Sequence, residues 1–282
     1  MQSLNNTSGR RGKVVAWIIL IVCAIYLFLP LITQFDYSLR MRRDTLSFDA
    51  YYSVLTTNPD EDATGIPRFY TALAFSSLMA LLTIVVSVVI VVPTAYWVHM
   101  RSPRIKPVIE FITILPFAIP GIVLIFGYLR TYSAPPFALT NTEVGTAVLL
   151  VGGYSIGVMP FIYRTVDTGL RAIDIKSLTE AARNLGAGWG TVIFRVIMPN
   201  LRVAILSSAL LTYAVAIGEY TLSNYLFPDG RTFGSYIYAV GSNRIFEPAA
   251  LTIISYGLVW ILVLLIQRVG RGPGQTQVAG MR

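Results

Sequence analysis

The sequence predicts an all-α integral membrane protein with six transmembrane helices and with both termini in the cytoplasm. Of its 282 residues, 55% are hydrophobic and 13% are charged, whereas soluble globular chains have about 45–50% and about 25%. The apolar residues form six runs, each close to the length of about 20 residues that crosses a bilayer as a helix. Lys and Arg residues are concentrated in alternate segments between these runs. Together the three observations exclude an ordinary soluble protein.

The six apolar runs cover residues 14–35, 70–98, 108–129, 144–163, 203–224 and 249–266. The first is longer than the apolar core of about 7–15 residues that a signal peptide carries, so we expect it to remain as a helix. The second is longer than a bilayer requires and should tilt, with a kink at Pro93. In the third, Pro116, Pro120 and Gly121 predict a bend.

The distribution of basic residues predicts which side of the membrane each segment faces. With an inside N-terminus, 15 of the 22 Lys and Arg residues lie in cytoplasmic segments and seven lie outside. Basic residues stay on the cytoplasmic side during insertion, so both termini are predicted inside. The chain then divides into a cytoplasmic tail (1–13), a first helix with an outer loop (14–69), a five-helix core (70–268) and a second cytoplasmic tail (269–282).

Residue counts limit the kinds of site that this chain can build. Cys23 is its only cysteine and His99 its only histidine, so an internal disulfide and a Cys/His zinc site are excluded. We expect no metal and no cofactor. The net charge of +8 is explained by basic residues that flank the spans, so no nucleic acid is expected as a partner.

The longest polar stretch, residues 164–202, carries helix signals outside the predicted spans. Ser177 and Glu180 fit a capping box, which predicts that a short helix begins there. Gly186 is placed to end that helix in a left-handed conformation. A second, amphipathic helix follows and is broken by Pro199 just before the fifth span. Because Ala181 and Ala182 are small, we expect the first helix to present a surface against which another protein can pack.

The same loop carries a sequence motif. Glu180, Ala181 and Ala182 are followed by Gly186 after three residues and, after nine more, by Val-Ile-Met-Pro ending at Pro199. This pattern resembles the EAA loop of the membrane subunits of binding-protein-dependent ABC importers, with Val and Met in place of Ile and Leu. Motifs elsewhere resemble the polyamine, iron and aminoalkylphosphonate branch, which includes spermidine/putrescine permeases; they are Leu115-Pro116, Ile119-Pro120-Gly121, Tyr163-Arg164-Thr165, Gly169-Leu170-Arg171 and Gly218-Glu219-Tyr220.

The resemblance implies a type I ABC importer permease in a bacterial inner membrane. Its expected partners are a homodimer of ABC ATPase subunits, a second permease that is identical or related, and an extracytoplasmic solute-binding protein. The chain has no Gly-x-x-x-x-Gly-Lys-Ser/Thr phosphate loop, so ATP hydrolysis is expected in a separate subunit and this chain is not expected to be an enzyme. The residues assigned to ATPase coupling are Glu180, Ala181, Ala182, Arg183, Gly186 and Pro199.

A polar stripe on the fifth predicted span marks a candidate translocation path. On a continuous helix, Ser208, Thr212, Glu219 and Ser223 would share one face. A carboxylate in a membrane helix is costly and marks a cavity, a partner or an ion path. Two readings of Glu219 stay open, substrate contact and a structural role at a helix interface or bend.

The substrate is less well defined than the transport role. The outer segments carry seven basic and nine acidic residues, which favours a cation such as spermidine or putrescine. An aminoalkylphosphonate and ferric iron are the alternatives within the same role. A self-sufficient secondary transporter would need more intramembrane ionisable groups than Glu219. An intramembrane enzyme is the weakest alternative, because the spans hold no paired catalytic groups.

Overall fold

A computed structural model describes residues 5–42, 45–56 and 69–270. Every secondary-structure element in this part of the chain is a helix. Because the apolar residues lie in long uninterrupted runs, most of these helices are long and apolar. In chain order they are α1 (Asn5–Ser38), α2 (Asp49–Thr56), α3 (Phe69–Arg101), α4 (Lys106–Ala118), α5 (Gly121–Tyr132), α6 (Glu143–Arg171), α7 (Ile175–Asn184), α8 (Trp189–Thr191), a π-helical turn (Val192–Ile197), α9 (Met198–Asn200), α10 (Arg202–Gly218), α11 (Thr221–Leu226), α12 (Phe233–Asn243) and α13 (Glu247–Gly270).

Four of the six predicted spans lie in single long helices. The first, second, fourth and sixth apolar runs are contained in α1, α3, α6 and α13, and each of these helices is long and apolar enough to cross a membrane. Two further candidate spans are helix pairs with a sharp bend, so the described residues hold four straight spans, or six if each pair counts as one. The helical membrane fold predicted from the sequence is confirmed.

The third predicted span is broken in its middle. α4 and α5 meet at an angle of 94°, with extended backbone at Ile119 and with Pro120 directly before α5. The proline ring removes an amide donor and disfavours helical backbone in the preceding residue. The bend predicted from Pro116, Pro120 and Gly121 is confirmed.

The fifth predicted span is shorter than expected. α10 ends at Gly218, Glu219 has extended backbone with φ −75° and ψ 122°, and α11 begins at Thr221. The prediction of one continuous helix over 203–224 is therefore wrong. The interruption is stabilised because the Glu219 carboxylate accepts hydrogen bonds from the first free amides of α11, which a continuous helix would have satisfied by itself.

The chain divides into two compact units. The smaller contains Met1–Thr57 and Val240–Tyr256; within it, the hydroxyl groups of Ser38 and Tyr51 lie 2.7 Å apart. No residue in the apolar window of α1 is buried, so its side chains are available to lipid or to another protein.

The larger unit contains Asn58–Ala239 and Gly257–Arg282. Its core consists of two apolar clusters in which α3 and α6 pack together. One cluster includes Val92, Ile162 and Leu201, which are almost completely buried, and reaches into the segment between α6 and α10. The other includes Ile125 and Leu150 and joins α5, α6 and α11. The candidate functional residues are attached to this unit.

Candidate functional site

The start of α7 is set by Asp174, three residues earlier than the sequence motif suggested. The Asp174 carboxylate accepts a hydrogen bond from the Ser177 amide at 3.2 Å and one from the Ser177 hydroxyl at 2.7 Å. These hydrogen bonds hold the pKa of Asp174 below its usual range. The predicted capping box of Ser177 and Glu180 is wrong, because both residues lie inside a helix whose first amides Asp174 already caps.

The end of α7 agrees with the prediction. Gly186 has a positive φ of 81°. The Ala187 amide donates to the Ala182 carbonyl at 3.0 Å and the Gly186 amide to the Arg183 carbonyl at 2.9 Å, which is the paired pattern of a glycine-terminated helix. Leu185, beside this turn, is 89% exposed. The sequence interpretation missed this apolar side chain, whose signal was its position directly before the capping glycine.

The two alanines of the motif lie on different faces of α7. Glu180 and Ala181 are exposed, whereas Ala182 is buried in the apolar cluster with α3 and α6. Ala182 therefore belongs to the core of this chain and does not form part of an open packing surface. The buried hydroxyl groups of Thr179 and Tyr96 lie 2.9 Å apart, and this hydrogen bond ties α7 to α3.

The segment from Trp189 to Asn200, which we call the return helix, leads from the Gly186 turn back toward α10. Its π-helical turn buries Val192 and Ile197, and it meets α10 at an angle of 78°. The predicted second amphipathic helix is confirmed. Pro199 is exposed near its end, just before the bend.

Trp189, at the start of the return helix, is held between two arginines. The guanidinium carbons of Arg101 and Arg183 lie 5.5 and 5.0 Å from the centre of its ring. Arg183 also donates to the Ala187 carbonyl at 3.1 Å. Arg183, assigned from sequence to ATPase coupling, thus also joins α7 to the return helix.

A charged cluster at the same end of the core was not found from sequence. Asp167 on α6 is buried and lies close to three basic side chains. Its carboxylate accepts hydrogen bonds from Lys106 at 2.7 and 2.8 Å and from Arg171 at 2.9 Å, and His99 Nδ1 lies 3.9 Å away. The cluster fastens the start of α4 to the end of α6, shortly before α7 begins.

Of the four residues proposed for the path, Ser208 and Thr212 lie on α10, Glu219 lies in the break after α10, and Ser223 lies on α11. Ser208 donates to the Ile205 carbonyl at 2.8 Å, and Thr212 is completely buried, with no hydrogen-bond partner for its hydroxyl among the described residues. Ser223 is also buried, and its hydroxyl lies 2.7 Å from the Glu219 carbonyl oxygen. The structure brings together Glu219 and Ser223, and separately Ser208 and Thr212, but not all four on one helix face.

Glu219 is partly exposed, and its carboxylate is engaged with backbone. Oε1 accepts from the Leu222 amide at 2.9 Å and Oε2 from the Ser223 amide at 3.1 Å. Gly234 on α12 packs against this point so closely that a Cβ there would lie 2.4 Å from the Glu219 carbonyl oxygen. Gly234 is distant in sequence and was not identified from it.

The break between α4 and α5 and the break between α10 and α11 lie against each other. Gly121 follows the break between α4 and α5, and Thr221 follows the break between α10 and α11. A Cβ on Gly121 would lie 3.5 Å from the Thr221 methyl group. Non-helical backbone at membrane depth is tolerated only where protein buries it or where it lines a water-filled cavity. The paired breaks are therefore the strongest structural candidate for a translocation site.

Among residues 5–42, 45–56 and 69–270, no three His, Cys, Asp or Glu side chains form a cluster that could hold a metal ion. The candidate site thus has two parts: a surface loop that contains α7 and the return helix, and two interrupted membrane helices whose breaks lie side by side.

Several known proteins are similar to this chain in sequence. A probable molybdenum ABC transporter permease protein of Haloferax volcanii is 30% identical over 228 residues, covering 78% of this chain and 83% of that protein. The spermidine/putrescine transport system permease protein PotB of Haemophilus influenzae is 27% identical and covers 56% and 59%. The chain spans only 27% of the length of the ferric transport system permeases that it matches.

A solved structure supports the fold over nearly the whole chain. A bacterial ABC transporter involved in the import of the acidic polysaccharide alginate has a chain that matches with a TM-score of 0.65 and 20% identity, covering 93% of this chain and 97% of the other. Residues 91–269, which include the coupling loop and both helix breaks, match the model of one permease family. The chain therefore belongs to the family described as binding-protein-dependent transport system inner membrane component.

Proposed function

We propose that this importer permease subunit is driven by separate ABC ATPase subunits that dock on α7 and on the Gly186 turn. The observation that carries the proposal is that α7 has an exposed face, on which another protein can dock, and a buried face that packs into the core of this chain. Glu180, Ala181 and Leu185 are exposed, while Ile175 and Ala182 are buried in the same apolar cluster as α3 and α6. A force applied to the surface would thus move two membrane helices.

ATP hydrolysis is assigned to a partner because this chain carries no phosphate-loop motif. Closure of an ATPase pair around nucleotide would displace α7, and its hydrogen bond from Thr179 to Tyr96 would carry the displacement to α3. The membrane helices would then change between inward-open and outward-open arrangements.

A second permease subunit is proposed to cover the break between α4 and α5. Phe117 is 60% exposed and Ile119 is 45% exposed in this chain. Measured along α4, the break lies about 20 Å from Lys106, well within a hydrocarbon core of about 30 Å. Lipid cannot hydrogen-bond the backbone groups that helix ends leave unpaired, so another permease subunit or a water-filled path must meet this face.

We propose a polyamine such as spermidine or putrescine as the substrate, delivered by an extracytoplasmic binding protein. The acidic balance of the predicted outer segments supports a cation, and one relative is named for spermidine and putrescine. Molybdenum transport is the second candidate, because the relative that covers 78% of this chain carries that name. Aminoalkylphosphonate and ferric iron transport are further alternatives within the same role.

The test is uptake into proteoliposomes that contain this chain with its proposed ATPase, second-permease and binding-protein partners. We expect uptake of labelled spermidine to require ATP and the binding protein. A matched preparation with an ATPase variant that cannot hydrolyse ATP is the control. Uptake by this chain alone in response to an ion gradient would instead support a secondary transporter, and uptake of molybdate without spermidine would overturn the polyamine assignment.

A further inference from the structure

A groove of about 570 Å³ lies between the end of α3 and the return helix. Residues from the last turns of α3, between Pro93 and Arg101, form one wall, and Trp189 and Ile193 form the other. Tyr96, on the α3 wall, also takes part in the proposed coupling through Thr179, whereas Trp97, Trp189 and Ile193 have no part in it. The groove belongs wholly to the larger unit.

The walls of the groove are apolar, and large parts of them are exposed. Trp97 is 50% exposed and Trp189 is 45% exposed. Because α3 rises about 1.5 Å per residue, the eight residues from Arg101 back to Pro93 extend about 12 Å along the helix. This is close to the thickness of one hydrocarbon leaflet, about half of 30 Å. The apolar part of the groove therefore lies at a depth that acyl chains occupy.

The other end of the groove is cationic. Arg101 and Arg183 stack on the Trp189 ring from 5.5 and 5.0 Å, and both side chains are exposed. Neither forms an ion pair with a carboxylate in residues 5–42, 45–56 or 69–270. Two guanidinium groups thus lie at the membrane boundary with unused hydrogen-bond donors.

We propose that this groove binds one anionic phospholipid, with its phosphate at Arg101 and Arg183 and with an acyl chain along Trp97 toward Pro93. A soluble ATPase subunit could meet the arginines but would not reach Pro93 inside the bilayer. A hydrocarbon chain alone would fill the groove and leave the arginines without an anion. An amphiphile with a negatively charged headgroup satisfies both ends, and basic pockets of this type at helix ends suit such lipids.

The proposed topology decides only which leaflet the lipid site faces, and that leaflet is the cytoplasmic one. The lipid chemistry follows from the groove itself. Loss of the proposed transport function would therefore leave the lipid site testable, and the reverse also holds.

Native mass spectrometry of the full chain, in the complex in which it purifies, tests the proposal with dioleoyl phosphatidylglycerol and dioleoyl phosphatidylcholine as probes. We expect a preference for phosphatidylglycerol that falls about fivefold in Arg101→Gln, since one basic residue near a membrane surface contributes about that factor. Arg104→Gln removes the same charge three residues away, outside the groove, and should keep the preference.

A second measurement locates the lipid. Acyl-brominated phosphatidylglycerol should quench the fluorescence component that is lost in Trp97→Phe, and it should do so more strongly than brominated phosphatidylcholine. Three results would overturn the site: equal binding of the two lipids, an equal loss of preference in Arg104→Gln, or no quenching of the Trp97 component by either lipid, which would mean that protein covers the groove. ATP-driven uptake measured in parallel separates these results from a failure of the transport proposal.

Discussion

Lys106 Nζ donates hydrogen bonds to both carboxylate oxygens of Asp167, at 2.7 and 2.8 Å. The two residues are 61 positions apart, on α4 and α6. Their side chains are only 20% and 12% exposed, so the pair is screened less by water than a surface ion pair. It joins the first half of the broken third span to the helix that leads into the coupling loop.

Replacing Lys106 tests this connection. Lys106→Met should lower the free energy of unfolding by about 2 kcal/mol, below the 3–5 kcal/mol of a fully uncompensated charge, because Arg171 still contacts Asp167. The measurement is thermal unfolding of the purified chain in detergent. Adding Asp167→Asn to Lys106→Met should recover part of the loss, whereas additive losses would show that the two side chains act independently.

The left-handed conformation of Gly186 predicts a sharp effect of a side chain there. A Cβ would meet nothing within 4 Å, so the cost of Gly186→Val is conformational, about 1–2 kcal/mol. We expect weaker retention of the ATPase and at least about fivefold lower ATP-driven uptake. Gly188→Val is the matched control, because Gly188 has φ −73° and equally open surroundings. Equal effects of the two substitutions would contradict a role for the glycine turn.

Because Asp174 caps α7, hydrogen exchange of the Ser177 amide should depend on the residue at position 174 and on pH. Asp174→Ala should speed hydrogen exchange of the Ser177 amide, whereas Glu180→Gln should leave it unchanged, because Glu180 caps nothing. Since its hydrogen bonds lower the pKa of Asp174, the stabilisation is fully present above the ordinary pKa of about 4 and is lost as pH falls through the lowered value. After correction for the intrinsic pH dependence of exchange, titration of Asp174 should therefore cause no change in exchange of the Ser177 amide between pH 5 and pH 8.

For folding, the shape and the hydrogen-bond acceptor of the Glu219 side chain are predicted to matter more than its charge. Glu219→Gln keeps a carbonyl oxygen that can accept from an α11 amide, so the unfolding temperature should change little. Glu219→Leu leaves two amides without acceptors and should cost about 1–3 kcal/mol. Glu143→Leu, at an exposed helix start, is the control. A large loss in Glu219→Gln alone would contradict the capping role.

The path assignment of Glu219 has its own test. In a chain with Cys23→Ala, a cysteine at position 219 should react with a small water-soluble thiol reagent, since the reactive thiolate needs water. Uptake by Glu219→Gln reports whether the charge contacts substrate. No labelling in any nucleotide state, together with normal uptake by Glu219→Gln, would remove Glu219 from the path.

Gly234 and Gly157 form a matched pair of helical glycines. Gly234→Ala would push a methyl group against the Glu219 carbonyl oxygen and should cost about 1–3 kcal/mol. Gly157→Ala meets nothing within 4 Å and should be neutral or stabilising, because alanine favours helix. Thermal unfolding compares them, and similar midpoints for the two variants would show that α12 does not pack tightly on the break.

Most of the fold follows from local sequence signals. Apolar runs define α1, α3, α6 and α13, proline defines the bend between α4 and α5, and a glycine ends α7. The start of α7 was misplaced because two competing caps lie three residues apart, at Asp174 and Ser177, and the earlier one is used.

The features that sequence reasoning missed depend on contacts between distant residues. The break after Gly218 has no proline in it: Glu219 caps α11, and Gly234 of α12 packs against the Glu219 carbonyl oxygen. Lys106 and Asp167 meet only after α4 and α6 pack together. Ala182 is buried because α3 and α6 cover one side of α7, which the motif by itself does not reveal.

The π-helical turn Val192–Ile197 constrains how many residues the return helix can contain. A π turn accommodates one residue more than an α turn, so the loss of one residue within it can be absorbed by closing that turn to an α turn. A further inserted residue would not be absorbed in this way and would rotate the preceding segment by about 100°, which would move Trp189 away from Arg101 and Arg183. Point substitutions on the exposed face of this segment and single-codon deletions within the π turn should therefore accumulate in natural variants, while single-codon insertions between Gly186 and Pro199 should be eliminated.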